Sequence, residues 1–305
     1  MQINGPPIAV IGATGQVARA LVRVARESGL TLAAAGRPDA DLGGGNSVHT
    51  FLERTAPRVV INAAAYTAVD KAETDSDAAF QINAHGPGVL AAWCAERGVP
   101  LIHISTDYVF DGSKRTPYVE DDACNPLGVY GRSKLAGEDA VRAALDRHII
   151  VRTAWVYGPD GNNFLKTMLR VGAEREVVRV VADQTGTPTA AADIAAALVA
   201  IASQVAQAQN PPVWGTYHLV AEGETTWHGF AAEIFSAAAA QGLKTPKLEA
   251  ITTADYPTPA ARPANSVLDT TKLRKTFGIV LPAWQKSTAG CVRELAGLSA
   301  NKGTP

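Results

Sequence analysis

Cysteine, net charge and long hydrophobic runs are all scarce in this chain of 305 residues. Its three cysteines, Cys94, Cys124 and Cys291, stand far apart, which fits neither a disulfide framework nor a zinc site and suits a reducing compartment. The 28 basic and 29 acidic side chains leave a formal net charge of −1. That balance gives no electrostatic reason to expect a nucleic acid or a membrane surface as a partner.

No segment of the sequence resembles a membrane span or a signal peptide. The longest apolar stretch, from Ala190 to Ala202, is interrupted by Asp193 and is shorter than the roughly 20 residues that a bilayer requires. The segment from Met1 to Pro7 carries no Lys or Arg and leads directly into a strand-like run. We therefore expect a soluble, cytoplasmic protein, and its 47% hydrophobic residues are enough for a packed core.

Strand and helix patterns alternate through the first half of the chain. Short apolar runs rich in β-branched residues predict five strands, and helical spacing of apolar residues predicts helices between them. This alternation is typical of βαβ units, so we predict an α/β fold with a Rossmann-type doubly wound parallel sheet. The predicted strands are Ile8 to Ile11, Leu30 to Ala35, Arg58 to Asn62, Leu101 to Ser105 and His148 to Arg152.

After about Val156 the alternation loosens, and Gly and Pro interrupt the chain more often. We predict an NAD(P)-binding domain over residues 1–156 and a smaller, mainly substrate-binding C-terminal lobe over residues 157–305, with the chain crossing back to the sheet. Ligands bind such sheets in crevices at the carboxyl ends of the strands. The second lobe is therefore expected to close over that edge.

A glycine-rich segment follows the first strand and opens a helix. In Gly12-Ala-Thr-Gly15-Gln-Val-Ala18, Gly12 permits the tight turn and Gly15 lets the backbone approach a pyrophosphate, which the helix N-terminus then faces. The segment predicts a dinucleotide site. Arg37, at the end of the second strand, favours the 2′-phosphate of NADPH, with NADH left possible and a solvated surface arginine as the alternative.

Tyr130 and Lys134 are four residues apart at the start of a predicted helix, so they share one face of it. An ammonium near a phenol lowers the pKa of the phenol, and Tyr130 is then suited to protonate a carbonyl oxygen as a hydride reaches its carbon. Thr106, at the end of the fourth strand, is predicted to bond the carbonyl or the Tyr130 hydroxyl; a strand-end cap is the alternative.

At these residues the chain resembles the extended short-chain dehydrogenase/reductase family, and within it the dTDP-4-dehydrorhamnose reductases, over nearly its whole length. The glycine segment and the Tyr–Lys pair are shared by the whole superfamily, whereas other stretches are narrower signatures. The matching segments are Gly15 to Val17, Asn62 to Glu73, Ser105 to Gly112, Val129 to Glu138, Arg152 to Tyr157, Gly161 to Phe164, Asp183 to Thr189, Tyr217 to Leu219, Thr226 to His228 and Arg262 to Asp269.

The resemblance implies reduction of the C4 keto group of dTDP-4-dehydro-β-L-rhamnose to dTDP-L-rhamnose. It also implies a catalytic set, Tyr130, Lys134 and Thr106, with Tyr130 as the acid that Thr106 tunes. The implied cofactor contacts are Gly15, Gln16, Val17, Asp41, Leu42, Ala65, Tyr66, Thr67, Tyr130 and Lys134, and the implied substrate contacts are Thr106, Asp107 and Trp155.

Two of the substrate residues also have readings from their own chemistry. Trp155 offers a flat apolar face for a sugar ring, or it packs in the core. Arg262 suits a bidentate clamp on a diphosphate, or it forms an exposed salt bridge. Asn163 and Gln184 are suited to hydrogen bonding with a sugar or base, but the sequence assigns them no role.

The chain departs from the family at a metal site. Some members bind Mg²⁺ at a dimer interface through two glutamates, and the matching positions here are Ala20 and Ala192. Alanine offers no oxygen to a hard cation. We therefore predict no metal there, and leave open whether the protein is a monomer or a homodimer.

Two other functions remain open at this stage. A nucleotide-sugar epimerase, or another nucleotide-sugar reductase, would share the fold and the Tyr–Lys pair. A non-catalytic NADP-binding regulatory subunit would use the fold as a binding module, although an intact set of Thr106, Tyr130 and Lys134 argues against a purely regulatory role.

Overall fold

A computed structural model of the chain describes residues 5–207 and 214–302. The first four residues of the N-terminal segment considered above, and the last three of the predicted C-terminal lobe, lie outside the described residues. The strands are β1 Ile8–Ile11, β2 Leu32–Ala35, β3 Val59–Asn62, β4 Leu101–Thr106, β5 His148–Thr153, β6 Val156–Tyr157, β7 Val177–Val181, β8 Thr185–Gly186, β9 Thr189–Ala190, β10 Gly215–His218, β11 Thr225–Thr226 and β12 Lys247–Ile251. The α-helices are α1 Gln16–Glu27, α2 Ser47–Thr55, α3 Val69–Ala72, α4 Ser76–Phe80, α5 Gly86–Arg97, α6 Val129–Ala144, α7 Phe164–Glu174, α8 Ala191–Gln207, α9 Trp227–Ala239, α10 Thr271–Phe277 and α11 Trp284–Lys302.

Within the described residues, six parallel strands form the central sheet in the order β2-β1-β3-β4-β5-β10. The inner strands are apolar on both sides because helices cover both faces of the sheet. One face packs on α1 and α8, and the other packs on α2, α5 and α6. The predicted Rossmann-type fold class is confirmed. The order of the strands reverses between β1 and β3, which is where such sheets bind ligands.

The chain is helical without a break from Ser76 to Arg97, but it is not a single α-helix. A π-helical turn, Gln81–His85, separates α4 from α5. Pro87 has no N–H to bond the carbonyl of Asn83 in the α-helical pattern, and Gly137 of α6 packs so closely on that carbonyl that a Cβ would meet it. The buried Asn83 side chain accepts from the Tyr66 N–H at 2.8 Å and donates to the Tyr66 carbonyl at 3.0 Å. The turn therefore anchors the loop that follows β3.

The second half of the chain contributes both to the sheet and to a separate lobe. Strand β10 pairs with β5, and α8 packs on α1, so the chain does return to the sheet. The lobe has its own apolar core, in which Tyr157, Phe230 and Trp284 are buried between α7, α9, α11 and the β7–β12 pair. The division of the chain at residue 156 stays a prediction. Among the described helices, none is long and apolar enough to cross a bilayer.

Candidate active site

A cleft of about 720 Å³ lies between the carboxyl ends of the sheet strands and the second lobe. Most of the predicted site residues line it, although they come from widely separated parts of the chain. They are Gly12, Gly15, Gln16, Val17, Arg37, Asp41, Leu42, Ala65, Thr67, Thr106, Asp107, Tyr130, Lys134 and Trp155. Tyr66 and Arg262 are not among the residues that line it.

The glycine segment makes one end of the cleft. Gly12 has φ +99°, and a Cβ on it would lie 2.7 Å from the main chain of Ala64, so only glycine fits there. Helix α1 begins at Gln16 with no acidic residue in its first turn. Its free N–H groups and the positive end of its dipole therefore favour an anion in the cleft.

The neighbouring wall follows β2 and carries two opposite charges. Arg37 and Asp41 both line the cleft, and Asp41 is oriented by its own loop, since its Oδ1 accepts from the Gly43 N–H at 2.8 Å. A basic and an acidic group thus stand where an adenosine ribose would lie in a Rossmann fold. This arrangement leaves both NADPH and NADH acceptable on charge alone.

Tyr66 follows β3, and its side chain is used for structure. The hydroxyl donates to Asp75 at 3.0 Å, and the main chain is held by Asn83 as described above. Its neighbours Ala65 and Thr67 line the cleft. The predicted cofactor contact of Tyr66 stays a prediction.

Tyr130 lies at the second residue of α6, and its partners come from the end of β4. The helix is held at its start by Glu73, whose Oε1 accepts from the Val129 N–H at 2.8 Å. The Tyr130 ring meets the ring of Tyr108 edge-on with centroids 5.5 Å apart. Burial raises the pKa of Tyr130 to about 12, and the nearby Thr106 hydroxyl partly offsets this rise.

Lys134 is fully buried one turn further along α6, with 1% of its surface exposed. Its ammonium donates to the main-chain oxygen of Ile104 at 2.7 Å, and burial lowers its own pKa to about 8. The predicted lowering of the Tyr130 pKa by Lys134 stays a prediction. Burial of the phenol dominates, and the group that lowers its pKa is Thr106.

Asp107 carries an incompletely paired carboxylate into the cleft. Its Oδ1 accepts from the Thr106 hydroxyl at 2.9 Å, whereas Oδ2 is buried with no hydrogen bond of good geometry among the described residues. Burial raises the pKa of Asp107 to about 6. The Ser266 hydroxyl lies close enough to this carboxyl to lower its pKa, but it makes no hydrogen bond to Oδ2. A buried oxygen without a hydrogen bond, at the wall of a cleft, is suited to accept from a ligand hydroxyl.

Trp155 has a second tryptophan behind it. Its φ is +46°, a strained value for a bulky residue, and its ring stacks on Trp227 with centroids 3.6 Å apart and planes 8° from parallel. A Cβ on Gly186 would lie 2.5 Å from the Trp155 ring. Trp155 therefore both lines the cleft, where it could contact a sugar ring, and packs in the lobe.

Trp227 also lines the cleft, and the sequence analysis assigned it no role. The signal that could have found it was the narrow match over Thr226 to His228, but nothing local to that segment pairs it with Trp155. Asn163 was also left unassigned. Its side chain caps α7 by accepting from the Lys166 N–H at 3.0 Å and donates to Gln16 Oε1 at 2.8 Å, joining the second lobe to the glycine segment.

Arg262 forms a salt bridge with Asp70, in which Nη2 donates to both carboxylate oxygens at 2.9 Å, whereas Nη1 donates to the Ala260 carbonyl at 3.0 Å. The second reading offered for Arg262 was an exposed salt bridge; the salt bridge is present, but only 18% of the Arg262 side chain is exposed. Its proposed contact with a diphosphate stays a prediction. Gln184 is bonded inside the second lobe, where its Nε2 donates to Thr253 Oγ1 at 3.0 Å.

An ionic network lies directly beneath the site. The buried Glu138, one turn after Lys134, accepts from Arg152 at 2.9 and 2.7 Å and from Arg142 at 2.6 Å. Burial alone would raise the pKa of Glu138, but the Arg152 guanidinium outweighs it and holds that pKa below the usual value. Ser105 Oγ donates to the same carboxylate at 2.5 Å. The network therefore ties α6 to β4 and β5.

The two alanines at the family's metal positions lie in different settings. Ala20 is buried in α1, and Ala192 is exposed at the start of α8. Over residues 5–207 and 214–302, no cluster of three or more His, Cys, Asp or Glu side chains could hold a metal ion. The predicted absence of Mg²⁺ stays a prediction.

Comparison with known proteins gives consistent matches over nearly the whole chain. Residues 7–296 match the family described as RmlD substrate binding domain. A dTDP-4-dehydrorhamnose reductase of Sinorhizobium fredii is 46% identical over 281 residues, which cover 92% of this chain and 95% of that protein. The protein of the same name from Escherichia coli K12 is 48% identical over 241 residues, which cover 78% and 80%.

Solved structures agree. The dTDP-4-dehydrorhamnose reductase of Clostridium acetobutylicum superposes with a TM-score of 0.88 at 38% identity, covering 95% of this chain and 99% of that one. The Bacillus anthracis dTDP-4-dehydrorhamnose reductase, solved in complex with NADP, has a TM-score of 0.88 at 34% identity with the same coverage. A Thermus thermophilus UDP-glucose 4-epimerase solved with NAD has a TM-score of 0.78 at 20% identity, covering 95% and 99%, and that likeness shows the fold alone.

Proposed function

Because this chain belongs to the dTDP-4-dehydrorhamnose reductase family, we propose that it reduces the C4 keto group of dTDP-4-dehydro-β-L-rhamnose to give dTDP-L-rhamnose. The chain is thus an oxidoreductase of dTDP-rhamnose biosynthesis. The observation that carries the proposal is the meeting of Thr106, Tyr130 and Lys134 with the glycine segment in one cleft. A dinucleotide-dependent reduction of a carbonyl requires the cofactor-binding segment and the catalytic side chains to line the same cleft.

The residues present fit NADPH. The cradle at Gly12 admits no side chain, and the first turn of α1 carries no carboxylate that would repel a pyrophosphate. Arg37 and Lys134 line the cleft; in the proposal Arg37 meets a 2′-phosphate and Lys134 holds ribose hydroxyls. When bound, NADPH supplies the hydride that adds to C4.

Tyr130 is the proposed proton donor. Because the pKa of Tyr130 is about 12, the phenol keeps its proton through the neutral pH range and is available as an acid. It donates that proton to the substrate oxygen at C4, so that the carbonyl becomes a hydroxyl. The Thr106 hydroxyl stabilises the phenolate left behind by turning its single proton from Asp107 Oδ1 to the Tyr130 oxygen, whose pKa it lowers.

The sugar is proposed to lie between Asp107 and the Trp155–Trp227 pair. The unpartnered Oδ2 of Asp107 accepts from a sugar hydroxyl, and the apolar ring system contacts the less polar side of a deoxysugar. Arg262 is proposed to reach a diphosphate oxygen, which requires it to give up one of the two hydrogen bonds that its Nη2 makes to Asp70, or the one that its Nη1 makes to Ala260. We further propose a cytoplasmic location, because its three cysteines are all unpaired thiols.

The proposal is tested by the loss of NADPH absorbance, and separately of NADH absorbance, with dTDP-4-dehydro-L-rhamnose as substrate. Rapid consumption supports the reductase and decides the cofactor preference. An epimerase would copurify with bound NAD and consume no added NADPH. Protein that binds NADPH without consuming either cofactor would instead favour another nucleotide-sugar substrate or a regulatory binding module.

Tyr130→Phe tests the chemistry of the site. The variant should bind NADPH almost normally and lose about a hundredfold or more in kcat, because general acid catalysis contributes on that order. Tyr256→Phe is the matched control, since Tyr256 is 61% exposed. Full activity in Tyr130→Phe would remove Tyr130 from its assigned role.

A further inference from the structure

Lys134 has a buried neighbour that no step above uses. His103, on β4, is completely buried, and its Nε2 lies 3.4 Å from the Nζ of Lys134. On the opposite side of the ring, Nδ1 lies 3.1 Å from the Nδ2 of Asn62. The imidazole thus stands between an amide at the end of β3 and the lysine of the active site.

The orientation of the Asn62 amide decides which nitrogen of His103 carries the proton. Its Oδ1 accepts from the Ala64 N–H at 3.1 Å, so its NH₂ group must face the imidazole. An NH₂ group only donates, and Nδ1 must therefore be the acceptor. Burial holds the pKa of His103 well below its usual range, so the ring is neutral and its single proton is on Nε2.

The Nε2–H group points toward the Nζ of Lys134. An ammonium has three donors and no acceptor, so it cannot bond to this N–H. A neutral amine can accept from Nε2–H with its lone pair and still donate to the Ile104 carbonyl at 2.7 Å. The local geometry therefore favours the neutral amine over the ammonium.

We propose that Asn62 and His103 form a buried positioning pair, which locks the imidazole as the Nε2–H tautomer and thereby holds Lys134 ready to lose its proton. The pair touches neither substrate nor hydride in the cleft; it acts through Lys134. The kinetic part of this inference rests on the proposed reductase function, whereas the tautomer itself does not.

Other charges around Lys134 do not account for the effect. Glu138, on the same helix, favours the ammonium, but two arginines bind that carboxylate. Tyr130 stays a neutral phenol because of its raised pKa. The ionisable groups on the elements that pack around Lys134 include Tyr130, Glu138 and Arg142 of α6, His103 of β4, Arg152 of β5 and Asp107 after β4.

The tautomer can be measured directly in the wild-type protein. In ¹⁵N-histidine-labelled enzyme, the His103 signals, assigned by their loss in His103→Asn, should show a protonated Nε2 and an unprotonated Nδ1 throughout the neutral range. A protonated Nδ1 would overturn the proposal. This measurement needs no turnover, so its result is independent of the proposed function.

Asn62→Asp should reverse the tautomer. A carboxylate can accept from both Ala64 N–H and an Nδ1–H, which leaves Nε2 bare to accept from the Lys134 ammonium. The alkaline limb of the kcat–pH profile, where the ammonium is lost, should then move up by about one pH unit or more. The NMR signal of His103 should change to a protonated Nδ1.

A double-variant cycle separates the tautomer from the added charge. Asn62→Asp made in a His103→Asn background keeps the carboxylate but removes the imidazole. The shift of the alkaline limb should then be much smaller than in the His103 background. An equal shift in both backgrounds would mean that charge alone acts on Lys134, and the proposal would be wrong.

Discussion

Asp107→Asn should alter the stability of the fold in a manner that depends on pH. Burial raises the pKa of Asp107 from 3.8 to about 6, a change of about two pH units, and each unit corresponds to 1.36 kcal/mol. Ionising Asp107 in the folded protein therefore costs up to ~3 kcal/mol more than in the unfolded chain. Asparagine keeps the shape of the side chain and carries no charge.

The free energy of unfolding depends on pH because the folded and unfolded states bind the Asp107 proton with different strength. The raised pKa means that the folded state holds the proton more strongly than the unfolded state does. The cost is absent below the unfolded pKa near 4, grows as the pH rises, and is complete above about 6. Relative to Asp107→Asn, wild-type protein should lose up to ~3 kcal/mol of unfolding free energy between pH 4 and pH 7.

Urea unfolding of wild type and variant, followed by circular dichroism across this pH range, measures the difference. Asp111→Asn is the matched control: hydrogen bonds from Ser113 hold the pKa of Asp111 below its usual range, so the difference between wild type and Asp111→Asn should stay flat between pH 4 and pH 7 and change only at lower pH. Asp111 contributes stability that is lost as pH falls through that lowered pKa. A pH-independent difference between wild type and Asp107→Asn would refute the reasoning.

Three further changes have expected outcomes. Gly12→Ala places a Cβ 2.7 Å from main-chain atoms of the loop after β3, and NADPH affinity in a fluorescence titration should fall about tenfold or more, as ~1–3 kcal/mol of strain requires. Glu138→Gln leaves the buried Arg152 without its charge partner, which should cost about 3–5 kcal/mol of unfolding free energy in urea. Trp227→Ala removes a ring stacked 3.6 Å from Trp155, and KM for the nucleotide-sugar should rise by up to about tenfold, the size of a lost aromatic pair.

Each change has a matched control within the chain. Gly29→Ala also meets a positive φ but has open space around it, so NADPH affinity should be unchanged. Glu174→Gln breaks an exposed pair with Arg170, where less than 1 kcal/mol is expected. Trp227→Phe keeps an aromatic ring and should keep most of the affinity. Equal effects of a change and its control would contradict the assigned cause.

The sheet and the cofactor cradle were predictable because their signals are local. A strand that ends at Ile11, a glycine at 12 and a helix from Gln16 are all within ten residues of one another, and the physics of that turn needs no distant partner. The Tyr130–Lys134 pair is also local, since four residues on a helix suffice to place both on one face. The prediction that Tyr130 lies at the start of a helix is confirmed, since α6 begins at Val129.

The second tryptophan, the ionic network and the Arg262 pair lie beyond such reasoning. Arg262 meets Asp70 across 192 positions of sequence, and Trp227 meets Trp155 only because a second lobe closes on the sheet. Each contact depends on how two separate elements are placed against each other. Neither hydrophobic periodicity nor residue spacing predicts how such elements are placed.

The pKa values of Tyr130 and Lys134 also depend on the whole fold and not on local sequence. Spacing placed Tyr130 and Lys134 on one face of the helix, but it could not give the pKa of Tyr130, because burial raises the pKa of a phenol whereas a nearby cation lowers it. Burial raises the pKa of the phenol and lowers that of the lysine, and burial is a property of the whole fold. The sequence can therefore identify which groups carry the chemistry, but which form each of them takes at neutral pH is decided by surroundings such as Thr106, Glu138 and His103.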